Sequence, residues 1–477
     1  MSSIAYHCPD LLIAGRWRPG RNARSQVVVD PARDEPIGEM RLASAADLQD
    51  ALAATVTGFA AWRMVPAHER CARLERAVVR LRERCEDIAT LLTLEQGKPL
   101  AEARAECAMA ADLIKWYAEE ARRIHGRVLP ARAAGSRMDV LKFPVGPVAA
   151  FSPWNFPLVL SARKLGGALA AGCSIILKGA EETPASVALM VACLAEELPD
   201  GALQLVYGIP AEVSSQLIAA PEIRKLSFTG SVPVGRHLAQ LAGQHLKRAT
   251  LELGGHAPVI VCEDADLDRV VPLMVAHKFR NAGQACLAPT RFLVARSHYG
   301  EFVERFVQSC GALRLGPGME ASTQMGPVAS ARRKAAVQDL IDRTVAQGAR
   351  ALGGPAPQTG SFLAPTLLVD VTPHAPAMRE EPFGPVACAA AFDSLDEAIA
   401  IANDCAYGLA GYLFTDSARA IQAVSERLEV GSLAINGIGV SVPEAPFGGV
   451  KDSGHGSESG IEGMDAFLDT KFTHYAA

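Results

Sequence analysis

Short apolar stretches alternate with helical stretches in the central part of the chain. The pattern predicts strands in GPVAAFSP, SIILK, ALQLVYG, KLSFTG, TLELGG and APVIVCE, with helices over 158–171, 184–197, 210–219 and 233–245 between the first five of them. Apolar strands that alternate with helices are typical of a parallel α/β sheet. A second region with the same rhythm runs from about 264 to 445.

The segments around this region follow other patterns. The first 30 residues predict short strands, among them LLIAGRW (11–17), and Ser44 and Asp47 have the spacing of a helix-capping pair. Long amphipathic helices are predicted over 66–95 and 99–123, on either side of Gly97, Lys98 and Pro99. Residues 128–143 predict an extended arm, and the strand-like tail AFLDTKFTHYAA is expected to pair with it.

The composition is that of an ordinary globular protein, with 49% hydrophobic and 21% charged residues. This excludes a mainly disordered or collagen-like chain. The formal net charge of −5 gives no overall attraction for nucleic acid or anionic lipid, so neither partner is expected. The longest apolar run covers residues 187–195, whereas a membrane-spanning helix needs about 20 residues, so no membrane segment is predicted.

The 11 cysteines are scattered along the chain. The two closest, Cys71 and Cys85, are 14 residues apart, so the spacing of CxxC metal or redox motifs is absent and no metal site is predicted. The N-terminal segment lacks a cationic stretch followed by an apolar one, and no signal peptide is predicted. Scattered cysteines without such a signal favour a reduced, cytoplasmic protein.

Several polar or glycine-rich motifs follow the predicted strands, where ligands bind in open α/β sheets. The amide of Asn155 in PWNFP could stabilise an oxyanion or could cap the next helix. Lys178 and Glu181 could contact a ribose or form a solvated turn. The segment FTGSVPVG, with Gly230, Ser231 and Gly235, offers backbone amides for a phosphate, or is only a tight turn.

Two further motifs could carry covalent chemistry. Cys286 follows Gly283, Gln284 and Ala285, and on such a turn it could be an activated nucleophile or a buried inert thiol. Glu252 ends a strand in ELGG, where a lone glutamate is usually a surface residue. The turns EEPFGPV (380–386) and PFGGVKDSGHG (446–456) name no chemistry by themselves.

The order and spacing of these seven segments resemble the aldehyde dehydrogenase superfamily along essentially the whole chain. The resemblance implies that Cys286 is the nucleophile, that Asn155 and the Cys286 backbone N–H bind the oxyanion, and that Glu252 is the general base for thioester hydrolysis. It also implies a cofactor site, with NAD preferred and NADP possible, formed by Pro153, Trp154, Lys178, Glu181, Gly230, Ser231, Gly235, Leu253, Glu381 and Phe383.

Within the family the chain is most similar to succinate-semialdehyde dehydrogenases. Arg163, Arg280 and Ser441 match the residues that bind the distal carboxylate of the substrate. Arg163 could instead pack against the cofactor domain, and Arg280 could be a helix-end charge. Glutarate semialdehyde, 2-oxoglutarate semialdehyde and neutral aliphatic aldehydes are alternative substrates. A non-catalytic binding protein on the same fold is the alternative from another functional class.

The resemblance also implies an architecture, an α/β fold with a Rossmann-like cofactor domain, an α/β catalytic domain and a small β oligomerisation arm. The expected parts are a cofactor-binding domain (1–123 and 143–252), a catalytic domain (253–445), the arm (124–142 and 465–477) and a return towards the cofactor-binding domain (446–464). A homo-oligomer, dimer or tetramer, is expected. Gly179, His256 and the segment GSESG (456–460) depart from the usual family pattern.

Overall fold

The computed structural model describes residues 6–476. Residues 1–5, part of the segment searched for a signal peptide, and residue 477, the last of the predicted arm, lie outside the described residues. The strands are β1 (Leu11–Ile13), β2 (Arg16–Arg18), β3 (Ser25–Asp30), β4 (Glu35–Arg41), β5 (Arg127–Leu129), β6 (Arg137–Pro144), β7 (Val148–Phe151), β8 (Ile175–Lys178), β9 (Leu203–Val206), β10 (Lys225–Thr229), β11 (Arg248–Glu252), β12 (Ala257–Val261), β13 (Pro289–Ala295), β14 (Arg350–Gly353), β15 (Thr366–Val369), β16 (Val386–Phe392), β17 (Tyr407–Gly408), β18 (Ala410–Phe414), β19 (Ser432–Ile435), β20 (Val450–Lys451), β21 (Gly454–His455) and β22 (Leu468–Tyr475).

The helices surround these strands. They are α1 (Ala45–Trp62), α2 (Ala67–Glu83), α3 (Cys85–Gln96), α4 (Leu100–Glu120), α5 (Pro157–Ala171), α6 (Pro184–Ala195), α7 (Pro210–Ala219), α8 (Val232–Gln244), α9 (Leu267–Phe279), α10 (Arg296–Gly311), α11 (Ala331–Val345), α12 (Pro376–Arg379), α13 (Leu395–Asn403), α14 (Ala418–Arg427) and α15 (Gly460–Asp465). Short 3-10 helices cover Ala121–Arg123 and Arg280–Gly283.

The first sheet has eight strands in the order β2-β1-β9-β8-β7-β10-β11-β21. Its five central strands, β7 to β11, run parallel, and β7 to β10 are buried along their whole length because helices cover both faces. This burial explains why these strands are continuous apolar runs in the sequence. The antiparallel β21 closes one edge by pairing with β11 at Leu251 and Glu252.

The second sheet has seven strands in the order β14-β15-β16-β13-β12-β18-β19, of which all but β14 run parallel. It has its own hydrophobic core, which includes Phe292, Phe302 and Phe306. The tail forms β22, which pairs with β6 from Leu468↔Pro144 to Tyr475↔Arg137, so the predicted pairing of tail and arm is present. Within the described residues, no helix is long and apolar enough to cross a membrane.

Two predicted elements differ from the structure. The helix predicted over 66–95 is two helices, because the backbone turns at Arg84 (φ −96°, ψ 8°). Leu81 and Ile88 on either side of the break enter the same core, so the apolar periodicity continues across it. The strand predicted over 11–17 is a hairpin, because Ala14 (φ 53°) and Gly15 (φ 75°) form a left-handed two-residue turn.

Candidate active site

The carboxyl edge of the first sheet faces the amino edge of the second, and the candidate residues lie between the two edges. The first sheet places Asn155 after β7, Lys178 at the end of β8, Ser231 after β10 and Glu252 at the end of β11. In the second sheet, Cys286 precedes β13 and Glu381 precedes β16. Residues from three distant parts of the sequence therefore meet because both sheets are parallel.

Two adjoining cavities of about 460 and 560 Å³ run along this junction and share Trp154, Thr229 and Gly230 in their lining. The first contains Cys286, Asn155, Leu253, Glu381 and Phe383, and the second contains Lys178 and Glu181. Such a double cavity has room for an elongated ligand such as a dinucleotide. Gly235 serves this site indirectly, since a Cβ there would be 2.3 Å from the Leu253 side chain.

Glu181 is held in place at the far end of the second cavity. One carboxylate oxygen accepts a hydrogen bond from Lys178 Nζ, and the other accepts one from the Gly208 N–H at 2.9 Å. The departure at Gly179 is explained by the Tyr207 ring, whose nearest carbon would be 2.6 Å from a Cβ at this position. Lys178 and Glu181 thus form an ordered ion pair that lines the second cavity, and they do not form a solvated turn.

Asn155 is buried and does not cap α5, so the capping alternative is wrong. Its Nδ2 donates to the carbonyl of Gln284 at 3.0 Å, two residues before Cys286. An amide nitrogen carries two hydrogens, so the second remains for a ligand. The Oδ1 atom is buried and has no hydrogen-bond partner in the part of the chain that the structure describes.

Cys286 is half-buried, and burial raises the pKa of its thiol to about 12, with the Glu381 carboxylate adding to the shift and Arg163 opposing it. The backbone at this residue is fixed by Gly255, where a Cβ would be 2.1 Å from the Cys286 carbonyl oxygen. A Cβ at Gly254 would be 2.6 Å from Glu381 Oε2. The two glycines of ELGG are therefore needed for close packing.

Glu252 is almost completely buried, with 1% of its surface exposed. Neither carboxylate oxygen has a hydrogen-bond partner among residues 6–476. Burial raises the pKa of Glu252 well above its ordinary value, and the nearby Glu458 adds to the effect while Arg163 and Lys164 oppose it. The same surroundings make the ionised carboxylate of Glu252 a stronger base than that of an exposed glutamate, because they favour the form that has accepted a proton.

Glu381 and two aromatic rings form the wall opposite the thiol. The Gly255 N–H donates to Glu381 Oε1 at 2.9 Å, and burial raises the pKa of this carboxyl to about 7. Trp154 and Phe383 pack edge to face with their ring centroids 5.6 Å apart. Phe383 adopts a left-handed backbone (φ 44°), which turns its ring into the first cavity.

The three predicted substrate residues are only partly brought together. Arg163 is buried on α5, donates from Nη2 to Ser441 Oγ at 2.7 Å and stacks on Phe447 at 3.6 Å. Its Nε and Nη1 atoms are buried without partners in the described part of the protein. Arg280 is exposed and stacks on Phe156 at 5.1 Å, and within the described residues it makes no hydrogen bond to Ser441.

Charged groups near this site include several that the sequence motifs did not reveal. Lys164 is fully buried next to Arg163, and its Nζ donates to Glu458 at 2.6 Å and to Thr229 Oγ1 at 2.7 Å. Glu458 lies in the GSESG segment, which had no interpretation. Arg332 and Arg333 line the first cavity from the start of α11. Two adjacent cations, Arg163 and Lys164, inside a mostly apolar helix were the signal that the sequence offered.

Comparisons with known proteins agree with this geometry. The pattern of the aldehyde dehydrogenase family matches residues 17–473. The chain is 73% identical to 4-(hydroxymethyl)benzenesulfonate dehydrogenase TsaD1 of Comamonas testosteroni over 477 residues, 100% of both chains. It is 40% identical over 464 residues to the succinate-semialdehyde dehydrogenase [NADP(+)] GabD of Escherichia coli, covering 97% of this chain and 96% of the relative.

Solved structures extend the similarity to three dimensions. The crystal structure of succinate-semialdehyde dehydrogenase from Burkholderia pseudomallei has a TM-score of 0.96 and 40% identity to this chain, covering 100% of this chain and 99% of the other. The fold predicted from the sequence motifs is confirmed by this similarity.

The raised pKa of Cys286 predicts how its reactivity depends on pH. Alkylation of Cys286 by iodoacetamide should accelerate about tenfold per pH unit between pH 7 and pH 10, because the thiolate fraction grows in that proportion below the pKa. Glu381→Gln removes a nearby anion, so the pKa should fall and alkylation at pH 8 should become faster. Peptide mass spectrometry measures the rate, with Cys8 in the same digest as reference, and a rate that levels off below pH 8 would contradict the prediction.

Proposed function

The chain belongs to the aldehyde dehydrogenase family and is an NAD(P)-dependent enzyme of it, and on that premise we propose that it oxidises aldehydes that carry an anion at the far end. The observation that carries this proposal is Arg163. Its guanidinium is buried, makes one hydrogen bond to Ser441, and leaves Nε and Nη1 unpaired among the described residues. A buried cation with free donors is most stable beside an anion that accepts them.

The anion we propose first is an aryl sulfonate. The relative that is 73% identical over the full length is named for 4-(hydroxymethyl)benzenesulfonate, and the aldehyde of that skeleton is 4-formylbenzenesulfonate. A sulfonate offers three oxygens, which suits Arg163 and the Ser441 hydroxyl together. Succinate semialdehyde, the substrate favoured by the sequence analysis, is the second candidate because a relative that is 40% identical is named for it.

The proposed reaction begins at Cys286. The thiolate attacks the aldehyde carbon, a C–S bond forms, and the carbonyl oxygen becomes an oxyanion that accepts hydrogen bonds from the Asn155 amide and the Cys286 backbone N–H. Bound NAD(P) would supply the acceptor for the hydride that leaves this carbon, and loss of the hydride would re-form the carbonyl as a thioester. Glu252 then takes a proton from a water molecule that attacks the thioester, the C–S bond breaks, and the carboxylic acid leaves.

The remaining residues of the double cavity would hold the cofactor. Lys178 and Glu181 would contact the adenosine ribose, and Ser231, the N-cap of α8, would contact the phosphates with the amides of the helix start. Glu381 would contact the nicotinamide ribose, and Phe383 would pack near the ring. A homo-oligomer, assembled through the arm formed by β5, β6 and β22, and a cytoplasmic location remain predictions.

Trapping the acyl-enzyme tests the mechanism. Glu252→Gln removes the base without changing the size of the side chain, so a thioester should accumulate on Cys286 when aldehyde and NAD are added. Mass spectrometry should show the mass of the acyl group on the Cys286 peptide, together with one NADH per site. Cys286→Ala should bind NAD as before but show no adduct and no turnover, and an active Cys286→Ala enzyme would refute the mechanism.

The fixed Glu181 carboxylate predicts the cofactor preference. It can accept hydrogen bonds from the ribose hydroxyls of NAD, whereas it repels the 2′-phosphate of NADP, so kcat/KM should favour NAD by about tenfold, or ~1.4 kcal/mol. Glu181→Ser should narrow or reverse the ratio, since Lys178 loses its partner. Glu212→Ser on α7 is the control, since this exposed carboxylate pairs with Arg24 outside both cavities. A wild-type enzyme that prefers NADP would overturn the prediction.

A paired substrate panel tests the anion site. We expect higher kcat/KM for 4-formylbenzenesulfonate than for benzaldehyde, and for succinate semialdehyde than for butanal. Arg163→Gln should raise KM for the anionic member of each pair by at least about 100-fold, since breaking a buried charge pair costs ~3–5 kcal/mol when water is excluded. The neutral members should change little, and Arg280→Ala should have a smaller effect because Arg280 is exposed.

The panel also separates recognition from damage to the fold. If Arg163→Gln impairs neutral and anionic aldehydes equally, Arg163 has a structural role only. If the wild-type enzyme oxidises butanal as well as succinate semialdehyde and benzaldehyde as well as 4-formylbenzenesulfonate, the anion site does not exist and the broad aldehyde alternative replaces it.

A further inference from the structure

The turn at Gly97, Lys98 and Pro99 is fixed between the two sheet units. Helix α3 ends at Gly97 with φ 90°, and α4 begins at Leu100, whose N–H donates to the Gly318 carbonyl at 2.9 Å. A Cβ at Gly318 would be 2.3 Å from the Lys98 carbonyl oxygen, so the two backbones are in direct contact. Lys98 therefore starts from a rigid position at the boundary between the units.

The Lys98 side chain points into the protein and ends at the loop that carries Asn155. It is 1% exposed, and its Nζ donates to the Asn155 carbonyl oxygen at 2.7 Å. The same ammonium pairs with Glu106 at 2.5 Å and lies 4.1 Å from the centre of the Phe156 ring. The Glu106 carboxylate compensates the charge of the Lys98 ammonium, and the Asn155 carbonyl and the Phe156 ring are its other partners.

Glu106 holds the other side of the same loop. Its Oε1 accepts a hydrogen bond from the Leu158 N–H at 2.9 Å, in the first turn of α5. The Asn155 carbonyl also accepts a hydrogen bond from Asn281 Nδ2 at 2.9 Å, and the Asn281 N–H donates to Glu102 at 2.8 Å. The buried pair Lys98–Glu106 thus hydrogen-bonds to the backbone at residues 155 and 158. Asn281 connects that backbone to the loop that carries Cys286.

We propose that Lys98, through its ion pair with Glu106, is a positioning residue that sets the place of the Asn155 amide relative to Cys286. The inference rests on the role given to Asn155 under the proposed function. Lys98 itself touches neither thiol nor cavity, so its effect must pass through the Asn155 backbone. A shift of about 1 Å in a reacting group costs about 100-fold in rate. If the Asn155 carbonyl is no longer held by Lys98, the rate of hydride transfer should therefore fall.

The experiment compares the wild-type enzyme with one in which both members of the pair are neutral. Glu106→Gln keeps an oxygen for the Leu158 N–H, and Lys98→Met is always made together with it, so that no unpaired charge remains in the interior. Each is made with Asn155 and with Asn155→Ala, and pre-steady-state NADH formation reports hydride transfer. Lys98→Met should slow hydride transfer about tenfold or more when Asn155 is present, and less than about twofold when it is replaced by alanine.

A second readout separates positioning from general damage. Alkylation of Cys286 by iodoacetamide forms no oxyanion at the reacting carbon, so Lys98→Met should leave its rate unchanged. Lys225→Met is the matched control, because Lys225 is also a buried lysine but lies at the start of β10, at the opposite end of the strand from the site. It should leave both rates unchanged.

The outcomes are distinct. The positioning role is wrong if Lys98→Met slows hydride transfer equally in the enzymes with Asn155 and with Asn155→Ala. It is also wrong if Lys98→Met slows alkylation and hydride transfer equally. If Asn155→Ala slows hydride transfer and Lys98→Met does not, only this inference fails. If Asn155→Ala has no effect, the oxyanion role in the proposed function fails as well. If the enzyme with the neutralised pair does not fold, Lys98→Arg replaces it, because arginine keeps the charge but places its donors elsewhere. It should slow hydride transfer with Asn155 present more than with Asn155→Ala, and equal slowing would contradict the inference.

Discussion

The close backbone contact between the two sheets is the constraint on which the site depends. Gly255 lies so near the Cys286 carbonyl that no side chain fits there, and Gly254 leaves room for the Glu381 carboxylate. This contact brings the carboxyl edge of one parallel sheet against the amino edge of the other. The thiol, the amide of Asn155, the buried Glu252 and the double cavity all lie along that line, and none of them would form a site in either unit alone.

Desolvation is the common cause of the electrostatics at this junction. Burial raises the pKa of Cys286, Glu252 and Glu381 together, so each acid is less ionised than it would be in water. Arg163 and Lys164 oppose the rise at Glu252, and Arg163 also does so at Cys286. The chemistry therefore depends on a few buried cations whose positions are fixed by hydrogen bonds, and the charge of a bound substrate would alter the same balance.

The sequence predicted most of the framework, for reasons that can be named, and it singled out residues that the structure brings to one junction. Apolar strands β7 to β10 are buried on both faces, which makes them visible as runs, and the Ser44–Asp47 capping box is present as expected. The break at Arg84 could not be seen, because both helices bury the same face. The roles of Lys98, Glu106 and Glu458 could not be seen either, since an isolated lysine or glutamate does not reveal a partner far away in the chain. Arg280 was grouped with Arg163 by resemblance, and only the structure shows that one is exposed and the other buried.

The pairing of β21 with β11 has a consequence for biosynthesis. Glu252 is flanked by a strand formed by Gly454 and His455, and Lys164 pairs with Glu458, 294 residues further along the chain, so the last part of the chain completes the surroundings of two residues that occur much earlier in the sequence. Contacts this distant in sequence form slowly, because the entropy cost of closing a long loop comes before the contacts stabilise the fold. A nascent chain released before residue 454 carries Cys286 and Asn155 but lacks the strand that pairs with β11 at Glu252. The edge of the first sheet beside Glu252 is therefore completed late, after almost the whole protein has been synthesised.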